Sequence, residues 1–511
     1  MSRLPLTEPH SALQPASPAP VRETIRLATL GLVGWLVVLG LALRSWHYLR
    51  GPSIWQDEAA LVLNVLGKSF AELLGPLFFS EAAPPLFLWA EKLVHLSLGD
   101  GMYALRLLPW LASCLAMVLM VPLARRVVSP RAVPWALLLF AVSDRLLWHA
   151  CEAKQYAVDV LVATLLLVLY HGLERWSLQR RLALFAALAP LTIWLSYPAC
   201  FLYGGLLVAW LPSVWKEAHA RVWIAYGLVV AAVFGAFGLL LAGPVRAQRN
   251  HEIVDCWQEL GKFPDWQRPA SVPWWIVQST LEMVDYCCRP VGHALVPLVA
   301  LGCYCLWRRG RGQSLTGLVV PVALALLASL LLAYPYGGVR VLAYAAPAVI
   351  LLVAEGAAFA LAWLETRHRA ATLLLLMLLA APAARSAWRA AFPWNRADSA
   401  GTAAYVLAQR QPDDLVTGND WDYQYLFRHL DLRYFSPLIE GPGAPRGRTW
   451  TIITAGTADE RKRVFGAFAA GNWRVLDHQE FVRTDVFLLE PAAELSTGGS
   501  RTAGSPASGR R

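Results

Sequence analysis

The chain has 511 residues, of which 57% are hydrophobic and only 16% are charged. A soluble globular protein cannot bury that much apolar side chain, so the composition excludes that class and predicts a polytopic membrane protein. The formal net charge of +10 does not indicate a nucleic-acid partner, because the basic residues lie in short clusters between apolar runs.

The chain begins with a segment rich in Pro, Ser and Ala, and residues 1–24 are predicted to be a disordered cytoplasmic tail. Apolar runs that approach the roughly 20 residues needed to cross a bilayer then follow one another. We count eleven, which together form a predicted transmembrane domain over residues 25–390: 25–46, 105–123, 132–148, 156–173, 182–197, 198–215, 222–242, 293–307, 315–334, 341–364 and 371–388.

Basic residues predict which ends of these runs face the cytoplasm. With the N-terminus inside, all five inner loops carry Lys or Arg, as cytoplasmic loops do; they are 125–131, 174–181, 216–221, 308–311 and 367–369. The large outer loops 48–103 and 243–292 then face the extracytoplasmic side, and the second is predicted to be a partly ordered cover. Counting residues 84–98 as a span would place the later basic loops on the outer side, so these residues are predicted to form an interfacial helix. We expect a multi-pass protein of the bacterial inner membrane.

An odd number of spans places the C-terminal region outside. Residues 391–491 have shorter apolar runs and are predicted to form a small extracytoplasmic α/β domain. Its predicted helices are 400–409 and 458–470, and its predicted strands are 415–417, 450–454, 473–477 and 484–489. The tail 492–511 is predicted to be disordered. Cys256 has Cys287 or Cys288 as a possible disulfide partner if its loop is extracytoplasmic.

Two adjacent carboxylates, Asp57 and Glu58, follow the first span, with Trp55 beside them. Ionisable residues next to a bilayer are costly to place, which makes them candidates for a functional site. The alternative is a solvated loop that happens to be acidic.

Further short motifs follow along the predicted outer face. In order they are Asp57-Glu58, Ala83-Pro84-Pro85-Leu86, Arg106-Leu107-Leu108-Pro109, Glu152-Ala153-Lys154-Gln155-Tyr156 with Asp159, and Tyr334-Pro335-Tyr336-Gly337-Gly338-Val339-Arg340. This order resembles the GT-C class of membrane glycosyltransferases, the group that includes protein O-mannosyltransferases and lipid A aminoarabinose transferases. One departure is Ala83, because the family's element reads His-Pro-Pro-Leu.

The resemblance covers roughly residues 25–388 and implies a GT-C-like fold of about 11 transmembrane helices. It also implies transfer of a hexosyl or pentosyl group from a polyprenyl-phosphate donor to an extracytoplasmic acceptor. The acceptor hydroxyl needs a general base, for which Asp57 is the first choice and Glu58 its orienting partner or alternative. The leaving lipid phosphate needs cations at headgroup depth; the candidates are Lys92, Arg106, Lys154 and Arg340.

The other candidate substrate-binding residues are Glu152, Tyr156 and Asp159, with Trp55 as a platform for a sugar ring. Lys92 and Arg106 have an alternative role as snorkelling anchors, and Glu152 could simply neutralise Lys154. No metal triad is evident, so no cofactor is expected, although Asp57, Glu58 and Glu152 have the chemistry to share a divalent cation. The expected partners are the polyprenyl-phosphate sugar, membrane lipid, and an acceptor that is a lipid, a glycan or a protein.

Two other classes of protein compete with this interpretation. A secondary transporter also has many spans, but it is expected to carry internal repeats, and we find none. A non-catalytic assembly or scaffold protein differs in that its acids and cations need not converge on one cavity.

Overall fold

The computed structural model describes residues 19–394, 396–430, 435–437, 447–454, 462 and 473–491, with the backbone alone for 19–30 and 435–437. Its contacts divide the chain into two units. The first is Met1–Pro52 with Asn64–Trp394, and the second is Ser53–Leu63 with Asn395–Arg511. The predicted tail 492–511 and the predicted helix 458–470, residue 462 apart, lie outside the described residues. So do residues 1–18 of the predicted N-terminal tail, whereas residues 19–24 belong to the first helix.

The first unit is mostly helical in its described part. Backbone N–H and C=O groups inside a bilayer must bond within the protein, and apolar runs of this length satisfy them as helices. Short 3-10 turns cover Glu72–Leu74, Phe78–Ser80, Pro269–Ser271 and Arg340–Ala345. The helices are α1 (Ala19–Leu49), α2 (Gln56–Gly67, which begins in the second unit), α3 (Pro85–Leu98), α4 (Met102–Leu105), α5 (Leu107–Val127), α6 (Val133–Val142), α7 (Asp144–His149), α8 (Tyr156–Gly172), α9 (Leu178–Leu195), α10 (Ala199–Glu217), α11 (Ala220–Ala242), α12 (Pro244–Gln248), α13 (His251–Glu259), α14 (Val272–Cys288), α15 (Gly292–Arg308), α16 (Gly312–Leu330), α17 (Ala346–Leu364) and α18 (Arg369–Ala391).

Many of these helices could cross a membrane. Within the described residues, eight are long and apolar enough, and the bent pair Pro269–Cys288 with Gly292–Arg308 raises the number to nine if it is one span. The apolar helices α6 and α8 are shorter. Every predicted apolar run overlaps a helix, although the run 132–148 is divided at Ser143 into α6 and α7. The prediction of a polytopic helical membrane protein is confirmed. The total of eleven spans stays a prediction.

The range 243–292, predicted to be a partly ordered loop, is largely helical. It contains α12, α13 and the 17-residue α14, which meets α15 at an angle of 99°. Pro290 lies in the break between them, where proline cannot continue a helix. The cysteines of this range are free: Cys256 is exposed on α13, whereas Cys287 and Cys288 are buried on α14. The disulfide suggested for Cys256 is therefore wrong.

Two glycines allow α15 and α17 to approach closely. A Cβ atom built on Gly302 would lie 2.0 Å from the carbonyl oxygen of Leu352, and one built on Gly356 would lie 2.0 Å from that of Leu298. Any side chain at either position would force the backbones apart, so the contact depends on glycine, as close packing of membrane helices often does.

The predicted interfacial helix 84–98 is present as α3. Pro85 stands in its first turn, where the missing N–H costs no hydrogen bond. Leu93, Leu96 and Leu98 are each more than half exposed, which suits a helix that turns an apolar face towards lipid. Its depth in the membrane stays a prediction.

The second unit contains a five-stranded sheet in the order β2-β1-β3-β5-β4. β1 (Leu415–Gly418) runs parallel to β2 (Phe435–Pro437) and to β3 (Thr449–Thr454), whereas β5 (Thr484–Pro491) pairs antiparallel with β3 and with β4 (Trp473–Phe481). The helices are α19 (Ser399–Gln409) and α20 (Trp421–Leu426).

One apolar cluster forms the core of this sheet. Val406, Val416, Trp450 and Ile452 are among its buried members, and the Trp450 indole N–H donates to Asp414 Oδ2 at 2.9 Å. The helix predicted at 400–409 and the strands predicted at 415–417, 450–454, 473–477 and 484–489 are present. The prediction of a small C-terminal domain with a sheet is therefore confirmed, and its extracytoplasmic position stays a prediction.

Candidate active site

A hydrogen-bonded chain of three side chains lies buried where α7 ends and the chain turns towards α8. His149 Nδ1 lies 2.9 Å from Glu152 Oε2, and His149 Nε2 lies 2.6 Å from the Tyr286 hydroxyl of α14. An ionised carboxylate can only accept, so with Glu152 ionised Nδ1 donates to it and Nε2 accepts from Tyr286. Burial lowers the pKa of His149, which lies just beyond the predicted third span. This shift favours the neutral imidazole.

Two arginines and two further aromatic rings lie around this chain. The Arg340 guanidinium lies 5.9 Å from the ring centroid of Tyr156 and 5.6 Å from that of Trp257. Arg145 lies 5.5 Å from the ring centroid of Tyr286. The rings of Tyr156 and His149 are 5.0 Å apart. Predicted residues Glu152, Tyr156 and Arg340 are thus brought together, because the turn before α8 faces the 3-10 turn that begins at Arg340.

A lysine and a glutamate form a buried ion pair at the same turn. Lys154 Nζ donates to Glu81 Oε2, with side-chain exposures of 1% and 10%. Gln155 Nε2 donates to the carbonyl of Ala82 at 3.3 Å. Low exposure raises the strength of the attraction and also the cost of removing one partner. Lys154 is therefore held in a defined position.

The segment that carries Glu81 is fixed on its other side too. The Ala83 N–H donates to Gln248 Oε1 at 3.2 Å, and the Tyr197 hydroxyl donates to the Ala83 carbonyl at 2.9 Å. Ala83 itself is fully buried. This position is filled by a small side chain, and the histidine of the resembled motif has no counterpart here.

Asp159 lies in the first turn of α8, one turn after Tyr156. Its Oδ1 accepts a 2.7 Å hydrogen bond from the Ser196 hydroxyl, and its side chain is buried. Because Asp159 is buried, this hydrogen bond replaces part of the solvation that its carboxyl group loses.

Lys92 and Arg106 each donate hydrogen bonds to backbone carbonyls. Lys92 Nζ donates to Val65 O at 2.9 Å and to Leu66 O at 3.2 Å, which are the last carbonyls of α2. Arg106 Nη1 donates to Pro52 O at 2.7 Å. A cation on the final carbonyls of a helix satisfies groups that lack an intrahelical partner, so Lys92 has a structural role in any case.

The predicted acids Asp57 and Glu58 belong to the second unit, in the first turn of α2. Glu58 is fully buried, and its Oε2 lies 3.5 Å from Arg396 Nη1. Arg396 Nη1 also donates to Ser53 O at 3.1 Å. Asp57 is half-buried, and so is Trp55, which directly precedes the helix. A divalent cation shared by Asp57, Glu58 and Glu152 stays a prediction.

Within the described residues, one group of metal-ligand side chains lies within 4.8 Å, and it is elsewhere in the second unit: His478, Glu480 and Asp485.

Several side chains of the site were not predicted from the sequence. Tyr286 lies on α14, 137 positions from His149, and no local signal marks it. Glu81 is marked only by its place directly before the Ala-Ala-Pro-Pro run. Tyr286, Glu81 and Arg145 enter the site because of helix packing, which a motif search does not test.

The helical unit, with its polar turns after α7 and before α17, and the small C-terminal sheet have the fold of the GT-C membrane glycosyltransferases. The chain is similar in structure to ArnT from Cupriavidus metallidurans in the apo state, with a TM-score of 0.50 and 12% sequence identity over 90% of this chain and 98% of that chain. The ArnT structure bound to undecaprenyl phosphate gives a TM-score of 0.50 and 12% identity over 89% of this chain and 98% of that one.

The archaeal oligosaccharyltransferase AglB from Archaeoglobus fulgidus, in complex with an inhibitory peptide and a dolichol-phosphate, is a weaker match. Its TM-score is 0.44 and its identity 12%, over 80% of this chain and 64% of that one. No protein-family model and no curated protein matches the chain. At this level of identity the likeness to ArnT establishes the fold.

Proposed function

We propose that this chain is a membrane glycosyltransferase that takes a sugar from a polyprenyl-phosphate donor and transfers it to an acceptor on the extracytoplasmic side. The observation that carries the proposal is the GT-C fold, shared with ArnT over 90% of this chain. ArnT also has a structure bound to undecaprenyl phosphate, which is a lipid of the proposed donor class.

The buried charges of the first unit suit a leaving phosphate. When the bond from the sugar to the donor oxygen breaks, negative charge grows on the lipid phosphate, and fixed cations in a water-poor site stabilise it strongly. Lys154 supplies a compact charge held in place by Glu81. Arg340 supplies a planar guanidinium whose N–H groups match the geometry of phosphate oxygens. We assign both to the donor phosphate.

The remaining assignments concern the sugar and the acceptor. Glu152, Tyr156 and Asp159 would bind sugar hydroxyls, and the His149–Tyr286 contact would hold Glu152 in one orientation. Asp57 would take the proton of the acceptor hydroxyl, since a half-buried carboxylate is a suitable base. Trp55 would stack on a sugar ring. Glu58 is paired with Arg396, which favours an orienting role for it.

An apolar groove of about 490 Å³ would hold part of the isoprenoid tail. Its walls come from α3, α9 and α11, and Leu86, Trp194 and Leu239 are among the lining residues. Leu86 follows the fixed Ala83 by three positions, so the groove begins close in sequence to the segment that holds Lys154. Inside a bilayer such a tail exchanges lipid neighbours for protein ones, so van der Waals packing rather than the hydrophobic effect would hold it in the groove.

Transfer by the purified full-length chain tests the proposal. The protein is incubated with polyprenyl-phosphate sugars of several kinds and a cell-envelope extract, and released polyprenyl phosphate and glycosylated products are measured by mass spectrometry. We expect release that depends on Lys154 and Asp57. A folded protein that releases no lipid phosphate from any donor, together with unchanged envelope glycans in cells that lack the gene, would refute the proposal.

A further inference from the structure

Basic residues from separate helix ends surround one buried histidine of the first unit. Arg126 is in the last turn of α5, Arg181 is near the start of α9, and Arg311 lies between α15 and α16. All three guanidinium groups lie within electrostatic range of the imidazole of His171, in the last turn of α8. Arg311 Nη1 also donates to the Arg126 carbonyl. These residues form the His171 cluster, which takes no part in the proposed active site.

The His171 cluster contains polar groups that the protein leaves unsatisfied. The side chain of His171 is only 5% exposed, and its Nε2 has no hydrogen-bond partner among the described residues; the buried Nε of Arg181 has none either. A buried polar atom without a partner costs roughly 1–3 kcal/mol. A ligand that bonds to it would remove that cost.

The charge around His171 is positive and not cancelled by ion pairs. Each arginine donates to a backbone carbonyl: Arg126 to Pro122, Arg181 to Tyr170, and Arg311 to Arg126. Within the described residues no carboxylate pairs with any of them. Glu174 and Glu217 lie within electrostatic range of Arg181, whereas the buried Glu355 pairs with Arg309. The charge of this cluster therefore favours an anionic ligand.

Exposed tryptophans place the His171 cluster at the level of lipid headgroups. Trp176, in the connection before α9, is 48% exposed, and Trp307, in the last turn of α15, is 62% exposed. Exposed indoles near the ends of membrane helices lie at the membrane–water interface, and these two precede Arg181 and Arg311 by five and four positions. This favours a lipid over a free anion.

We infer that Arg126, His171, Arg181 and Arg311 form a binding site for the phosphodiester headgroup of an anionic phospholipid. The guanidinium groups bind the phosphate oxygens, and the His171 Nε2 bonds to one of them as a hydrogen-bond donor. Basic pockets between membrane helices are known to hold such headgroups.

Lipid titration of the purified full-length protein tests the inference, with phosphatidylglycerol and phosphatidylcholine of equal acyl chains and native mass spectrometry to count bound lipids. The test variant is Arg181→Gln with Arg311→Gln. The matched control is Arg180→Gln with Arg308→Gln, which removes the same charge from the same two chain segments. Neither control residue belongs to the His171 cluster: Arg180 is exposed and Arg308 lies over the ring of Tyr304.

We expect phosphatidylglycerol to bind the wild type more tightly than phosphatidylcholine does. A hydrogen bond to a charged group contributes about tenfold or more, so the test pair should weaken phosphatidylglycerol binding about a hundredfold, and the control pair, which makes no bond to the headgroup, by less than about threefold. If the test pair does not fold, His171→Gln provides a second test. It keeps all three arginines and should weaken binding several-fold.

Three outcomes would overturn the inference. In the first, the control pair loses as much affinity as the test pair, which would mean a diffuse attraction. In the second, phosphatidylcholine binds as tightly as phosphatidylglycerol. In the third, millimolar inorganic phosphate displaces the lipid as well as added phosphatidylglycerol does, which would mean a free-anion site.

Discussion

The Lys154–Glu81 pair allows a structural role to be separated from a catalytic one. Both side chains are almost inaccessible, at 1% and 10% exposure. Lys154→Met removes the cation and leaves Glu81 without this partner, which for a buried pair costs about 3–5 kcal/mol of folding stability. Adding Glu81→Gln removes the buried negative charge, and the double variant should recover most of that loss, because a buried pair replaced as a whole is often nearly neutral.

Activity should not follow stability in this series. If Lys154 stabilises the leaving lipid phosphate, its loss costs about 10²–10³-fold in turnover, the usual effect of removing one group that stabilises developing charge. Restoring the fold with Glu81→Gln does not restore that charge. We expect the double variant to unfold near the wild-type temperature and to remain slow.

The assay measures the midpoint of thermal unfolding in detergent and the release of polyprenyl phosphate per folded molecule. Lys262 and Glu282 provide a matched control, as a Lys–Glu pair of the same unit at 2.8 Å with exposures of 19% and 30%. Their double replacement should cost less than about 1 kcal/mol and leave turnover normal. Recovery of both stability and turnover in the Lys154–Glu81 double variant would show that Lys154 is structural only, and the phosphate assignment would be wrong.

Three further predictions use the same purified protein. Asp57→Asn should reduce turnover by roughly 10²–10⁴-fold with little change in unfolding temperature. Glu58→Gln should lower the unfolding temperature, because it weakens the buried contact with Arg396. Normal turnover in Asp57→Asn would exclude Asp57 as the base. Gly235→Leu adds a side chain to the apolar groove, where no atom lies within 4 Å of its Cβ position. It should raise the KM of a long-chain donor but not of a short-chain one, whereas the control Gly227→Leu should change neither. Equal KM changes for both chain lengths would contradict the groove assignment. Burial and the charge of Asp420 raise the pKa of Asp422, so the folded state binds more protons than the unfolded one; stability should fall by up to about 1.4 kcal/mol per unit as the pH rises above about 4 towards the raised pKa, and Asp422→Asn should abolish this dependence in unfolding measured across pH.

The positions of the membrane helices could be predicted from the sequence because a bilayer permits few alternatives. Backbone groups in lipid must bond within the protein, so an apolar run of sufficient length becomes a helix wherever it occurs. The C-terminal strands were also predictable, since β-branched and aromatic residues such as those of Thr449–Thr454 favour a strand, and this one is buried on both faces. The range 243–292 was missed as helix because Pro273 and polar residues interrupt its apolar pattern, although Pro273 stands in the first turn of α14, where proline is tolerated.

The partners of the charged side chains were decided by the tertiary structure. The sequence places Lys154 and Glu152 at one turn, but it does not show that Lys154 meets Glu81, 73 positions away, or that His149 meets Tyr286, 137 positions away. Hydropathy predicts that a membrane helix forms and roughly where it ends. It sums the transfer free energies of many residues, so no single side chain decides the result. Which side chains then face each other depends on the rotation and crossing of packed helices, and a shift of one residue turns a side chain by about 100° around the helix axis.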